Sequence, residues 1–178
     1  AGQCPAPTSE PALQLGLQSV ARRLGFIDSA ETNAFRLIHG ASDGWPGWYV
    51  DRLGDFLLSQ SESDLTPQQH ACLASLLRVA GARGAYHKRL NRQVRQAAPA
   101  SVSPQLVLGE AAPGQFAVRE NGVRYELSFG EGYSVGLFLD QRDNRRRFLT
   151  RHIAAGFPVF STPGAAPNPE LLNCFSYT

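Results

Sequence analysis

The chain has 178 residues, of which 43% are hydrophobic and 18% charged, so it can build a folded core and is not disordered throughout. The net charge of +2 is too small to indicate nucleic-acid binding on its own. The distribution of positive charge along the chain is more informative. Of the 17 Lys and Arg residues 16 are arginines, and ten of the 17 lie in residues 83–95 and 142–151. Arginine suits bidentate phosphate contacts better than lysine does. A GC-rich genome explains the same composition equally well.

The three cysteines, Cys4, Cys72 and Cys174, are far apart and odd in number, which argues against a disulfide framework or a zinc site. No apolar run approaches the ~20 residues that span a bilayer, and no signal peptide is recognisable. We therefore expect a cytoplasmic protein with neither a membrane segment nor a metal. Because the chain begins without Met, we also expect that the natural amino terminus is missing.

The first predicted elements are a linker, a helix and three strands. Residues 1–9 have the composition of a loose linker, and from Glu10 apolar residues recur at helical spacing until Gly25 ends the helix. Strands follow at residues 35–38, 48–50 and 56–58, with a turn-rich stretch at 42–47 and a glycine-containing loop at 51–55.

A second helix begins with a clear start signal. Thr66 can cap it, Pro67 fits the first helical position, and Gln69 completes a capping box. The helix is predicted to end at Gly81. The following residues 84–115 show a strand only at 86–88, because prolines interrupt the remainder.

The last third begins with the strongest hairpin signal, Asn121-Gly122, which joins residues 116–120 to 123–129. Asp140 is expected to cap a helix that runs to about Ala155, with Leu149 and Ile153 facing inward. A Pro/Ala/Gly loop at 161–169 and a short apolar strand at 171–176 complete the chain. The fold class is therefore mixed α/β: a β-rich unit with helices, then a hairpin, a helix and one strand of an α/β sheet.

Three segments of the chain carry motifs that are informative when taken together and in order. Residues 33–55 contain Arg-Leu, Asp-Gly, Pro-Gly and Val-Asp-Arg, residues 136–145 contain Phe-Leu-Asp-Gln-Arg, and residues 172–178 spell Leu-Asn-Cys-Phe-Ser-Tyr-Thr. In this order the three segments resemble the PUA-linked large-subunit rRNA cytosine methyltransferases. The family has Lys-Thr-Gly before the second segment, whereas this chain has Ser134-Val135-Gly136. The lysine contact is thus lost or replaced.

The resemblance implies a domain organisation. Residues 1–32 would be a linker and helix, residues 33–112 a central mixed α/β domain, and residues 113–178 the start of a Rossmann-like methyltransferase domain. The PUA domain and most of the catalytic domain, including the Asp-Pro-Pro motif and the catalytic cysteine, would lie outside this chain. We therefore expect a truncated chain that is inactive alone.

The resemblance also implies S-adenosylmethionine as cofactor and identifies residues that would border its pocket. These are Phe138, Gln141, Arg142, Asn173, Phe175, Ser176, Tyr177 and Thr178. The last four would form the turn at the carboxyl end of the first core strand, where nucleotide cofactors bind in such folds. An ordinary apolar strand and a helix cap explain the same residues without a ligand.

Four arginines of the predicted last helix, Arg145, Arg146, Arg147 and Arg151, form a basic face that would contact RNA phosphate, although a solvated helix surface is the common alternative. The expected partner is rRNA, and a homodimer is an open alternative.

The loop at residues 43–47 would either present tryptophans to bases or pack them on the sheet, and packing is preferred. Methylation of a cytosine ring carbon needs a thiolate, but Cys174 and Cys72 are both expected to be structural.

Two other functions remain open. The alternatives to an RNA methyltransferase are a non-catalytic RNA-binding module and a small-molecule methyltransferase on the same scaffold.

Overall fold

The computed structural model describes residues 10–90, 103–130, 134–154 and 157–158. By compactness the chain divides into two units, Ala1–Leu137 and Phe138–Thr178. The mixed α/β class predicted from the sequence is confirmed. The predicted domain boundary between residues 112 and 113 stays a prediction, because a division by compactness does not test a division by function.

The first unit contains two helices and seven strands in its described part. The helices are α1, Glu10–Leu24, and α2, Pro67–Val79. The strands are β1 Ala34–His39, β2 Trp48–Leu53, β3 Phe56–Ser61, β4 Gly84–Arg89, β5 Gln105–Gly109, β6 Phe116–Glu120 and β7 Val123–Leu127.

The central sheet has the strand order β1-β2-β3-β4-β5. Its neighbours run antiparallel except for β3 and β4, which are parallel and are connected by α2. A tight turn can join only antiparallel neighbours, so two adjacent parallel strands need a longer crossover connection such as this helix. Among the described strands, β3 and β4 are therefore the neighbours whose carboxyl ends lie on the same side of the sheet.

α1 and α2 cover one face of the sheet. Successive side chains of a strand point to opposite faces, so every second strand residue faces these helices. The largest fully buried side chains of this core are apolar and include Trp48, Leu37, Leu57, Leu73 and Leu76. α2 begins with the predicted capping box, in which Thr66 Oγ1 accepts from the Gln69 backbone N–H and the Gln69 side chain accepts from the Thr66 N–H. The local start signal was thus sufficient to place this helix.

Aromatic side chains form a second cluster, to which the central sheet contributes Phe56 of β3 and Tyr86 of β4. The Phe56 ring centroid lies 5.2 Å from that of Phe116, and the Tyr86 centroid lies 4.2 Å from that of Phe129. The β6–β7 hairpin carries Phe116 to this cluster. Its turn residues Asn121 and Gly122 both have positive φ, 51° and 78°, as a type I′ turn requires.

The second unit is described from Phe138 to residue 154 and at 157–158. It contains a 3₁₀ turn at Leu139–Gln141, the helix α3 at Arg142–Thr150, and the antiparallel strands β8, His152–Ala154, and β9, Phe157–Pro158. The expectation that this helix continues to about Ala155 is wrong. Arg151 adopts the left-handed conformation, with φ 59°, and ends the helix.

Two further expectations for this helix are corrected. Asp140 does not cap it, because Asp140 lies within the 3₁₀ turn, and the residue at the cap, Gln141, makes no side-chain capping bond. Leu149 does not face inward: 54% of its surface is exposed. The predicted strand at 171–176 and the linker at 1–9 lie outside the described residues.

Candidate functional site

The loop of the first segment is structural in this fold. Trp45 and Trp48 are 8% and 0% exposed, and their ring centroids lie 4.7 Å apart in an edge-to-face arrangement. They are therefore not presented to bases, and packing on the sheet, the preferred alternative, is confirmed. Asp43 is also buried, and it accepts hydrogen bonds from Arg23 Nη2 at 2.6 Å and from the His39 backbone N–H at 2.6 Å.

Asp43 is charged in the folded state. Burial acts to raise the pKa of its carboxyl group, but the hydrogen bonds from Arg23 and His39 outweigh burial, so the pKa lies below its ordinary value. Since Arg22 and Arg23 belong to α1, this carboxylate fastens α1 to the loop before β2. Asp43, the aspartate of the Asp-Gly pair in the first motif segment, thus has a structural role.

The Asp of Val-Asp-Arg is a second polar anchor. Asp51 is 5% exposed, and Arg36 Nε donates to its Oδ1 at 2.8 Å, while Gln60 Nε2 donates to its Oδ2 at 3.0 Å. The Arg36 guanidinium also lies 5.2 Å from the Tyr49 ring centroid. Asp51 therefore links the side chains of β1, β2 and β3 across one face of the sheet.

The described part of the predicted donor-binding block lies at the start of the second unit. Phe138 is 52% exposed and Gln141 is exposed, whereas Arg142 is half-buried. The Phe138 carbonyl accepts from Arg145 Nη2 at 2.8 Å, and Gln141 Oε1 accepts from Asn144 Nδ2 at 2.8 Å. The turn is therefore held by its own side chains, and it brings an aromatic ring, an amide and a guanidinium onto one short segment.

The other residues predicted for the donor pocket, Asn173, Phe175, Ser176, Tyr177 and Thr178, lie outside the described residues. Their proximity to Gln141 stays a prediction.

The four predicted RNA-contacting arginines differ in their surroundings. Arg145 is bonded to the Phe138 carbonyl, and Arg147 Nη1 donates to Asn144 Oδ1 at 3.0 Å. Arg146 lies 4.0 Å from the Asp143 carboxylate. Arg151 is exposed and follows the end of α3. The expectation of one basic helical face is wrong, because three successive helical residues are spread over about 200° and Arg151 is not in the helix.

A pocket that the sequence did not predict lies in the first unit, beside the carboxyl ends of β3 and β4. It has a volume of about 370 Å³. Its lining residues are Asp64, Leu65, His70, His87, Arg89, Ser103, Gln105 and Val107. The residues come from the loop after β3, from the first turn of α2, from β4, and from β5 and the residues just before it. Because they are scattered along the chain and β5 was not predicted, no local pattern could have identified them together.

His87 is the buried wall of this pocket. Its Nδ1 lies 3.1 Å from Ser59 Oγ, and its Nε2 lies 3.1 Å from the Ser63 carbonyl oxygen. Since a carbonyl only accepts, Nε2 carries the proton, and Ser59 donates to Nδ1 while it accepts from Trp48 Nε1 at 2.8 Å. Burial is the main cause that lowers the His87 pKa, so the ring is neutral at pH 7.

The remaining titratable groups of note are buried in the first unit. Cys72 is 1% exposed, and burial raises the pKa of its thiol to about 12, as expected of a structural cysteine. Burial lowers the pKa of Lys88 to about 8. Within the described ranges no group of three His, Cys, Asp or Glu side chains is placed to hold a metal, and none of the helices described is long and apolar enough to cross a membrane.

Comparison with known proteins gives consistent matches. The chain is 34% identical over 146 residues to "Ribosomal RNA large subunit methyltransferase I" of Escherichia coli O139:H28 and of Shigella dysenteriae serotype 1, and 35% identical to that of Erwinia tasmaniensis. Each match covers 82% of this chain but 33% of the relative, so the chain spans about a third of the length of these proteins. No protein-family model matches.

Solved structures similar to this chain are methyltransferases. A protein assigned as a SAM-dependent methyltransferase from Streptococcus mutans has a TM-score of 0.65 at 27% identity, covering 84% of this chain and 38% of its own. A methyltransferase structure complexed with SAH has a TM-score of 0.64 at 27% identity, covering 83% and 37%. The resemblance indicated by the three sequence segments is thus confirmed: over most of its length this chain is a relative of the ribosomal RNA large subunit methyltransferases.

Proposed function

We propose that the protein containing this chain is an S-adenosylmethionine-dependent methyltransferase that acts on large-subunit rRNA. The observation that carries the proposal is the 34% identity over 146 residues to the large subunit methyltransferase I proteins. The likeness to a methyltransferase complexed with SAH supports the choice of cofactor. Because rRNA is the proposed substrate, we also propose a cytoplasmic location. A homodimer stays a prediction.

The finer proposal is methylation at carbon 5 of a cytosine. It rests on the sequence segments that resemble the cytosine methyltransferases. This chemistry needs a cysteine thiolate that adds to the ring and makes the neighbouring carbon nucleophilic, and the base must leave its stack. Cys72 is unsuited to this role, because its thiol is buried and its pKa is raised to about 12.

The described residues Phe138, Gln141 and Arg142 fit the proposed cofactor by their chemistry. A guanidinium binds a carboxylate such as that of the methionine part, and an exposed aromatic ring offers an apolar surface to the adenine. When bound, the cofactor supplies the methyl group from its sulfonium centre. We propose that Asn173 and Phe175, Ser176, Tyr177 and Thr178 complete the pocket.

For the RNA we propose contacts to phosphate from Arg146 and Arg151. Arg146 is only loosely paired with Asp143, and Arg151 is exposed. Arg145 and Arg147, which are bonded within their own turn and helix, would act mainly by holding that surface in shape.

The test uses the protein expressed from the complete reading frame that contains these residues. It is incubated with methyl-labelled S-adenosylmethionine and an unmodified large-subunit rRNA transcript, and the digested RNA is analysed by nucleoside mass spectrometry. We expect label in 5-methylcytidine. Label in another nucleoside would reject only the cytosine proposal, transfer to a small molecule would favour that alternative, and RNA binding without transfer would favour a non-catalytic module.

A matched pair of variants tests the cofactor residues. Arg142→Gln should weaken cofactor binding, measured by calorimetry, by roughly tenfold, as loss of a charge-assisted hydrogen bond predicts. Arg124→Gln removes an exposed arginine from the hairpin and should leave the affinity unchanged. Equal affinities of the two variants would remove Arg142 from the proposed pocket.

A further inference from the structure

We propose that the pocket beside the carboxyl ends of β3 and β4 binds one unpaired nucleotide of an RNA strand. This inference rests on the proposed function, because it assigns to the first unit a share in recognising the RNA substrate. The four residues that carry it are Leu65, His87, Arg89 and Val107, all of which line the pocket.

The position of the pocket follows from the topology. In open α/β sheets, ligands bind beyond the carboxyl ends of parallel strands, where the connecting loops leave a crevice. β3 and β4 form the parallel pair of the central sheet, and the pocket lies where they end. Its volume of about 370 Å³ falls at the lower end of the range for small-ligand sites, which suits one nucleotide better than a folded element.

The inner walls of the pocket fit a flat, uncharged group. The His87 ring is 7% exposed, and both of its nitrogens are already engaged, by Ser59 and by the Ser63 carbonyl. His87 therefore forms a closed floor of the pocket and offers no hydrogen-bonding edge to a ligand. Leu65 and Val107 add apolar, partly buried surface. Unpaired RNA bases bind by placing their flat faces against side chains, arginine guanidinium planes included, and the exposed Arg89 side chain lies beside this apolar surface.

The outer part of the pocket fits a phosphate. The Arg89 side chain is 64% exposed, and its Nε lies 3.7 Å from Asp64 Oδ1, which is too long for a hydrogen bond. An exposed pair of this kind contributes little to stability, so the guanidinium can exchange this partner for a phosphate at small cost. Base-binding walls with a guanidinium at the rim match a nucleotide within a strand.

The experiment measures binding of the 178-residue chain to a fluorescein-labelled single-stranded RNA of about 12 nucleotides, a length in the range of known single-strand sites. Fluorescence anisotropy is recorded over a series of salt concentrations. No cofactor and no methyl transfer are needed, so a failure here is distinguishable from a failure of the proposed activity.

Two variants change the pocket, and each has a matched control. Val107→Trp fills it, whereas Val79→Trp places the same side chain at an exposed position near the far end of α2. Arg89→Gln removes the rim charge, whereas Arg124→Gln removes an exposed charge from the hairpin. Thermal unfolding followed by circular dichroism compares the folding of all four.

We expect Val107→Trp to weaken binding by on the order of tenfold, the loss of about one stacked base. Arg89→Gln should reduce the slope of log affinity against log salt by about 1. The two controls should bind like the parent chain. A photoreactive 4-thiouridine in the RNA should cross-link to peptides that contain pocket residues, and this readout also serves if Val107→Trp proves unstable.

Several results would overturn the proposal. One is that the parent chain binds no RNA, and another is that the pocket variants and the controls bind equally. Cross-links confined to other peptides would also contradict the proposal, as would equal affinity for a double-stranded RNA of the same sequence. The last result would mean that the rim arginine attracts phosphates while no base enters the pocket.

Discussion

Arg23 Nη2 donates a 2.6 Å hydrogen bond to Asp43 Oδ2, and this pair connects α1 to the loop that precedes β2. The Asp43 side chain is 3% exposed, and the Arg23 side chain is 24% exposed. The pair is therefore largely shielded from water, and loss of the carboxylate leaves a poorly solvated guanidinium behind.

The first prediction concerns this carboxylate. Asp43→Asn should lower the free energy of unfolding by about 3 kcal/mol, since breaking a buried pair costs more than the pair contributes. Urea denaturation followed by tryptophan fluorescence measures the change. Asp55→Asn, at an exposed position, is the matched control and should change stability by less than about 0.5 kcal/mol. Equal stabilities of the two variants would show that Asp43 is not an anchor.

The second prediction concerns the chain of hydrogen bonds from Trp48 through Ser59 to His87. Ser59→Ala leaves Trp48 Nε1 and His87 Nδ1 buried without this partner, which should cost about 1–3 kcal/mol. Ser29→Ala, at an exposed loop position, provides the comparison in the same denaturation experiment. A Ser59→Ala chain as stable as the Ser29→Ala chain would contradict the hydrogen-bond assignment.

The third prediction follows from the lowered pKa of His87. A histidine whose pKa is lower in the folded than in the unfolded chain favours folding fully above the unfolded value of about 6.5, and this contribution is lost as the pH falls below it. Nitrogen-detected NMR of the imidazole should show a neutral ring protonated at Nε2 at pH 6.5. A ring already half protonated at that pH would refute the burial argument, and a neutral ring protonated at Nδ1 would refute the tautomer argument.

Much of the fold was predictable because its signals are local. The capping box at Thr66 and Gln69 and the hairpin at Asn121-Gly122 depend on neighbours within three residues, so the sequence alone identifies them. β5 was missed because its residues are mostly exposed at a sheet edge and lack apolar alternation. The close approach of Gly84 and Gly109, where an added Cβ would overlap backbone oxygen, became visible only once the strands were paired.

For the candidate sites, the sequence identified residues but not their roles, because a role depends on contacts that only the folded chain makes. The family segments identified Asp43, Asp51 and Gln141, but a motif does not distinguish an anchor from a ligand. Burial decides that Asp43 and Asp51 are anchors. Asp140 was assigned as a cap because its position in the sequence suited one, and only the 3₁₀ turn before α3 shows that the cap falls one residue later.

The fourth prediction concerns RNA contact by the second unit. Arg146→Gln and Arg151→Asn should each reduce the salt slope of rRNA binding by the whole protein by about 1, the signature of one lost phosphate contact. Asparagine is chosen at position 151 because it tolerates the left-handed conformation found there. Arg119→Gln, an exposed arginine of β6, is the control. If both variants show the same salt slope as the control, neither arginine contacts an RNA phosphate.

The most direct test of the proposed rRNA methylation is nucleoside mass spectrometry of large-subunit rRNA from cells with the gene deleted and cells with it restored. We predict that deletion removes 5-methylcytidine from one rRNA position and that the intact gene restores it. Unchanged methylation of the large-subunit rRNA after deletion would contradict the account.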